Sequence, residues 1–247
     1  MNARTGRSFS RAIIASREQL ERVFSPAVQA LLVELLGDWS TPAPHARLVS
    51  RFHARAPVDT QIEVKDKESA VMAAQYSFAL TTDHPDYPAL DLLNSILGSG
   101  ESSRLNKSLV REAKVALGQQ TYLNAFGPRR GPGQFLALVI ANQGVTPDTL
   151  EKRLAAEIEA VARTGVTPEE LTRAKNQFRA AKVNERQQTF AMGEAVQNAT
   201  FFLGSPDAVN SDLDRYAKVT VDDVKRVAAT YLIPANSLVV TVLPEAK

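Results

Sequence analysis

The chain has three histidines, His45, His53 and His84, and these are where metal or proton chemistry would be sought first. None lies in HxxEH, HxxxH or HxH spacing, so no two rings can face one ion from a single helix or strand, and with no cysteine there is no thiolate to complete a site. No metal ligand set is therefore expected in this chain. His84 precedes Pro85 in the turn signal Thr81-Thr82-Asp83-His84-Pro85, where a surface imidazole is the ordinary outcome. Nucleophilic catalysis has no better footing, because Gly-x-Ser-x-Gly is absent and the serines lack a recognisable base. The carboxylate pairs Glu169-Glu170 and Asp222-Asp223 fall in first helical turns, where they offset the helix dipole. A catalytic set is not expected, and a self-sufficient hydrolase has nothing to rest on.

One further stretch has the residue types of a binding turn: Leu97-Gly98-Ser99-Gly100-Glu101-Ser102-Ser103-Arg104-Leu105, leading into Val110-Arg111-Glu112. Gly98 and Gly100 stop an apolar helix, and Glu101, Ser102 and Ser103 are expected to supply acceptors to the free amides of a new one. Glycines before a helix N-terminus can cradle an anion, but no Lys lies in the turn and Glu101 would repel a phosphate, so the spacing predicts a capped helix–helix turn.

Composition bounds the rest. Hydrophobic residues at 44% and charged residues at 23% are those of an ordinary globular chain, and 247 residues can bury a sizeable core. A net charge of +2 gives no global reason to expect nucleic acid. Residues 1 to 17 are rich in Arg and Ser and lack acids, the composition of an organellar transit peptide, of a loose tail or of the remnant of a longer chain. No apolar run has the length of a bilayer span, and absence of cysteine does not choose between periplasm, cytoplasm and organellar matrix.

The elements that must position these residues follow from periodicity. Ser25-Pro26 opens a helix with Val28, Leu31, Leu32, Leu35 and Leu36 on one face and Gly37 as its stop. After Asp38-Trp39, Ser40-Thr41-Pro42-Ala43-Pro44 is a stiff linker. This divides the chain into 1–57, a basic segment with a helix and linker, and 58–247, an α+β domain. Thr60 to Lys65 and Ala70 to Leu80 read as strands, and Tyr87 to Leu97 as a buried helix that delivers the chain to the glycine turn. Arg104 to Glu112 continues as a helix. Val115 to Ala125 and Gln134 to Gln143 form an antiparallel pair joined by the Gly/Pro reversal that carries Arg129-Arg130, solvated loop charge or a contact for an acidic partner. Thr146-Pro147-Asp148, Thr167-Pro168-Glu169-Glu170 and Thr220-Val221-Asp222-Asp223 each open a helix. The second would run from Pro168 to about Leu203 as one rod of about 50 Å, with Gly193 as a possible kink. Pro206 to Lys218 is a further helix, and Ser237 to Leu243 closes the chain as a strand of the sheet.

Taken together, this order and three local strings resemble the insulinase/pitrilysin-type zinc peptidases, the family of the mitochondrial processing peptidase, over about residues 60 to 245. The strings are His84-Pro85-Asp86-Tyr87-Pro88-Ala89-Leu90, the glycine turn ending Ser102-Ser103-Arg104-Leu105, and Thr167-Pro168-Glu169-Glu170-Leu171 followed by Ala174-Lys175. The segment from Val28 to Trp39 is similar to the end of a preceding domain half. The resemblance implies an antiparallel-rich mixed sheet with helices packed on one face. Such proteins pair two α+β halves, of which only the first carries HxxEH, so this chain looks like the metal-free C-terminal half, with zinc expected in its partner. The implied role is to enclose and bind peptide substrate beside an HxxEH-bearing domain or subunit, as a homo- or heterodimer. The alternative is an assembly subunit of the same fold without substrate. Peptide could also add to the sheet edge through its backbone. The family's substrate contacts are a helix-end Arg, matched by Arg111, and a Tyr six or seven residues later. Leu117 and Gln119 occupy that stretch here, and the nearest tyrosine is Tyr122. Arg111, Gln119 and Tyr122 are thus the expected substrate-binding residues, and Gly98, Gly100, Ser102, Ser103 and Arg104 the structural turn.

Overall fold

The computed structural model describes residues 25–36, 61–66, 71–78, 80–125 and 133–244. The chain falls into two compact units, Met1–Arg51 and Phe52–Lys247. In the first unit, helix α1 spans Pro26–Leu36, as the apolar spacing predicts. The linker Ser40 to Pro44, the basic start, Gly37, Trp39, His45, His53 and the Arg129-Arg130 reversal lie outside the described residues.

The second unit is built on a five-stranded sheet in the order β1-β5-β2-β4-β3. Its strands are β1 (Gln61–Asp66), β2 (Val71–Phe78), β3 (Ala116–Leu123), β4 (Gly133–Ala141) and β5 (Ser237–Pro244). Among the described residues only β1 and β5 run parallel; β5 with β2, β2 with β4 and β4 with β3 are antiparallel. The last strand thus returns to the interior of the sheet, between the first two.

Side-chain alternation makes the sheet two-faced. Along β4, Gly133, Phe135, Ala137, Val139 and Ala141 are buried while the residues between them are half-buried. Register puts Ala74, Tyr76 and Phe78 of β2 and Thr121 of β3 on that buried face. The helices meet it there. Helix α2 (Tyr87–Gly98) packs on β3, α3 (Pro147–Thr164) on β2 and β4, and α7 (Val221–Tyr231) on β2, where the rings of Phe78 and Tyr231 are 5.4 Å apart. The α+β mixed sheet expected from sequence is therefore the architecture observed. Among the described residues no helix is long and apolar enough to cross a membrane.

Helix starts follow local chemistry. Thr146 caps α3, and Thr167 and Thr220 form reciprocal capping boxes with Glu170 and Asp223. Two expectations fail. The rod from Pro168 to Leu203 is two helices, α4 (Pro168–Arg186) and α5 (Thr189–Leu203), because Gln188 is extended at φ −104° and ψ 124°. Gly193 lies inside α5 and breaks nothing. The break lets α5 turn back against α4 and against α6 (Ala208–Ala217), burying Ala199; an unbroken rod would leave its far half without a partner. The second failure is at the glycine turn. No side chain caps the helix after it, and the Ser103 hydroxyl instead donates to the Gly100 carbonyl at 2.7 Å. From Asn106 to Glu112 the chain winds as a π-helix rather than an α-helix, closing with the Ala113 amide on the Ser108 carbonyl.

Candidate functional site

The glycine turn joins α2 to the π-helix, and Gly98 and Gly100 are there for different reasons. Gly100 has φ +77°, which favours a residue without Cβ. Gly98 permits close approach: a Cβ there would lie 1.9 Å from the Thr121 hydroxyl oxygen. At that contact β3 is bonded to the turn. The Gln119 amide nitrogen donates to the Gly98 carbonyl at 3.1 Å and to the buried Ser103 hydroxyl at 3.3 Å, and the Thr121 hydroxyl donates to the Asn94 carbonyl at 3.1 Å.

Arg104 fixes the other side. Its Nε and one terminal nitrogen grip the Glu170 carboxylate at 2.7 and 2.6 Å, and that terminal nitrogen also donates to the Gly165 carbonyl at 3.3 Å. Glu170 is the same residue that caps α4, accepting the Thr167 amide at 2.8 Å. Burial pushes the Glu170 carboxyl up, but the Arg104 and Thr167 hydrogen bonds and the Arg104 and Arg173 charges together hold it below the usual carboxylate range. Arg173, one turn further along α4, donates to the Ser102 carbonyl at 3.3 Å. Two strings read separately in sequence, Ser102 to Leu105 and Thr167 to Leu171, are one joint in space.

The third string forms a second joint. Arg226 of α7 holds both oxygens of Asp86, at 3.1 and 2.7 Å, and the Tyr231 hydroxyl donates to the same carboxylate at 2.7 Å. The Arg226 hydrogen bond is the main cause that lowers the Asp86 carboxyl pKa, against a smaller burial effect, and burial with Asp86 beside it lifts the Tyr231 phenol to about 12. The string itself shows no partner for Asp86, since Arg226 and Tyr231 lie 140 and 145 positions further along the chain. A lowered folded value means the contribution to stability is complete above the unfolded Asp range, near 3.9, and disappears as pH falls through the folded value. We expect Asp86→Asn to be less stable than the parent at pH 7, with the difference shrinking below about pH 4; urea unfolding of both at pH 7 and pH 3 checks it.

The expected substrate residues are not all together. Arg111 is exposed at the end of the π-helix, and among the described residues no carboxylate pairs with it. Tyr122 and Gln119 lie on opposite faces of β3, opposite Leu136 and Val139 of β4 respectively. Tyr122 is 39% exposed on the face away from the helices, where its hydroxyl donates to Gln120, whereas Gln119 points inward and holds the turn. A register shift between Ala116 and Gly118 leaves Leu117 outward and 63% exposed. His84 accepts the Asp86 amide on Nδ1 at 3.1 Å, the behaviour of a turn residue. Among the described residues no group of His, Cys, Asp and Glu could hold a metal ion.

Comparison with known proteins bears directly on this arrangement. The family model described as the peptidase M16 inactive domain matches residues 24–178. An uncharacterized zinc protease of Streptomyces coelicolor is 30% identical over 144 residues, 58% of this chain and 30% of the relative. The structure of the inactive peptidase domain of a protein from Bordetella parapertussis, named for its likeness to zinc proteases, superposes with a TM-score of 0.64 at 25% identity, covering 74% of this chain and 95% of that one. A protease from Helicobacter pylori shares the fold with a TM-score of 0.75 at 20% identity, covering 90% of this chain and 53% of that one. This chain thus spans under a third of the curated relative and about half of the Helicobacter protein. With the glycine turn, the Arg104–Glu170 joint and the sheet in place, the chain belongs to the peptidase M16 inactive-domain family.

Proposed function

We propose that this chain serves as the non-catalytic half of a two-part zinc peptidase, enclosing peptide substrate beside a domain or subunit that carries HxxEH and the zinc. The observation that carries the reading is the combination of membership in the inactive-domain family with a sequence that contains no HxxEH. Coverage of about half of the Helicobacter protease supports the division into halves. Arg111 and Tyr122 are the side chains we assign to substrate contact, Arg111 exposed and Tyr122 39% exposed with its hydroxyl on Gln120; Gln119 is committed to the turn.

Mixing the chain with an HxxEH-bearing M16 subunit is expected to yield a complex by light scattering and to raise peptide cleavage well above that of either component, with a chelator abolishing the gain. No complex and no gain in rate would refute the proposal. A second reading, an assembly subunit of the same fold without substrate, is favoured by the lack of a tyrosine six or seven residues after Arg111, where Leu117 and Gly118 stand. Arg111→Ala separates the two. Exposed and unpaired among the described residues, its loss is expected to leave stability within about 0.5 kcal/mol. Substrate contact predicts slower cleavage by the complex with unchanged association, and the assembly reading predicts no change in either.

A further inference from the structure

Away from the turn, a cavity of about 200 Å³ lies between α2, α4, α5 and α6. Its walls carry four aromatic rings, Tyr87, Phe178, Phe202 and Tyr216, of which Phe178 and Tyr216 are stacked at 3.5 Å. It also carries five charged side chains, and four of them are answered. Lys182 and Glu185 pair at 2.7 Å; Arg215 lies 3.7 Å from Asp212 and donates to the Thr82 carbonyl at 3.2 Å. The fifth, Asp91 of α2, forms no ion pair among the described residues; the Lys182 ammonium, 5.9 Å from the centre of the Phe178 ring, acts on it only through space. The Asp91 carboxylate accepts the Tyr216 hydroxyl at 2.7 Å.

A half-buried carboxylate held by a neutral hydroxyl and not by an ion pair is costly as an anion, and a cation in direct contact would relieve it. Aromatic faces around such a carboxylate favour an organic cation, whose charge meets the rings while its methylenes displace water. The space is smaller than pockets that enclose whole cofactors, about 300–1,000 Å³, and suits the end of one chain. We propose that this cavity binds a primary alkylammonium group, borne by a small amine or by a lysine side chain, with the Asp91 carboxylate as its counter-ion.

The site has a pH signature. Burial raises the Asp91 carboxyl pKa, against the Tyr216 hydrogen bond and the Lys182 charge, so the empty site retains its proton further up the pH scale than an exposed carboxyl. Ammonium binding favours the ionised form, releases that proton, and weakens as pH falls through the raised value. The other titratable groups facing Asp91 are Tyr87 on α2, Lys182 and Glu185 on α4, and Asp212, Arg215 and Tyr216 on α6. Burial raises Asp212 as well, so the signature is read as the difference between the parent and Asp91→Asn.

Calorimetric titration of the full chain with n-butylammonium chloride, with N-acetyl-lysine methylamide as the lysyl arm and n-butanol as the uncharged control, tests the proposal. Saturable one-to-one binding of n-butylammonium but not butanol is expected, weakened about tenfold or more by Asp91→Asn. That variant keeps an oxygen acceptor for Tyr216 and so keeps its fold. Ala195→Phe, which places a ring in the cavity from α5, is expected to abolish binding with Asp91 intact. Binding of both amines identifies a lysyl site, and binding of n-butylammonium alone a small-amine site. No saturable binding of either amine, equal binding of butanol, or unchanged affinity in Asp91→Asn would overturn the proposal.

Discussion

Replacing Arg104 by Ala is expected to lower the unfolding free energy by about 2–3 kcal/mol, below the full effect of breaking a buried pair because both partners keep some contact with water. For a chain of this size that is a fall in Tm of about 5–10 °C. The side chains of Arg104 and Glu170 are only 19% and 17% exposed, so the carboxylate left behind cannot be fully hydrated in place. The loss also removes the donor to the Gly165 carbonyl, at the junction where α3 gives way to α4. Glu170→Gln should cost less, since the amide can still accept from the Thr167 N–H and from one guanidinium nitrogen. A double-mutant cycle with Glu170→Ala is expected to give a coupling of about 1–2 kcal/mol. Additive single losses would show that the joint is a surface pair with no structural role. Because the folded Glu170 value lies below the unfolded one, the coupling should be present at pH 7 and vanish as the carboxyl protonates in acid.

Gly98→Ala is expected to be at least as damaging, about 3 kcal/mol, for a steric reason. The new methyl would fall 1.9 Å from the Thr121 hydroxyl oxygen and 2.6 Å from its Cβ and Cγ2, so α2 and β3 must separate or the turn must shift. Separation breaks the Gln119 bond to the Gly98 carbonyl and the Thr121 bond to the Asn94 carbonyl together. Thr121→Ala in the same chain should recover only part of the loss, because its Cβ remains 2.6 Å away, while Thr121→Gly should recover more. Thermal unfolding of the single and double variants checks this order. A tolerated Gly98→Ala would mean that the close approach of helix and strand is not required. Gly100→Ala, by contrast, meets open space, and its cost is confined to the left-handed backbone, about 1 kcal/mol.

Local rules were strong enough to read much of this molecule from the chain. The caps at Thr146, Thr167 and Thr220 are bonds between residues three apart, reciprocal in the last two, so their geometry is contained in a few consecutive positions. The alternation in β4 and the apolar stripe of α3 likewise declare which side faces inward. The three strings that resemble the M16 family mark its membership because they occupy the joints of the fold. What they join was not legible, since Arg104 meets Glu170 across 66 positions and Arg226 meets Asp86 across 140.

The sequence by itself determined the element types, the family, and the absence of an HxxEH motif, all of which depend on residues close together in the chain. The tertiary structure decided the rest. It broke the rod after Pro168 at Gln187 and Gln188, because a helix without a packing partner gives up little by turning back onto its neighbours. It turned Gln119 inward and Tyr122 outward, because strand register is set by the partner strand and a bulge can shift it. It set Asp91 in a cavity wall without an ion pair, a fact of four helices meeting that no local spacing can announce.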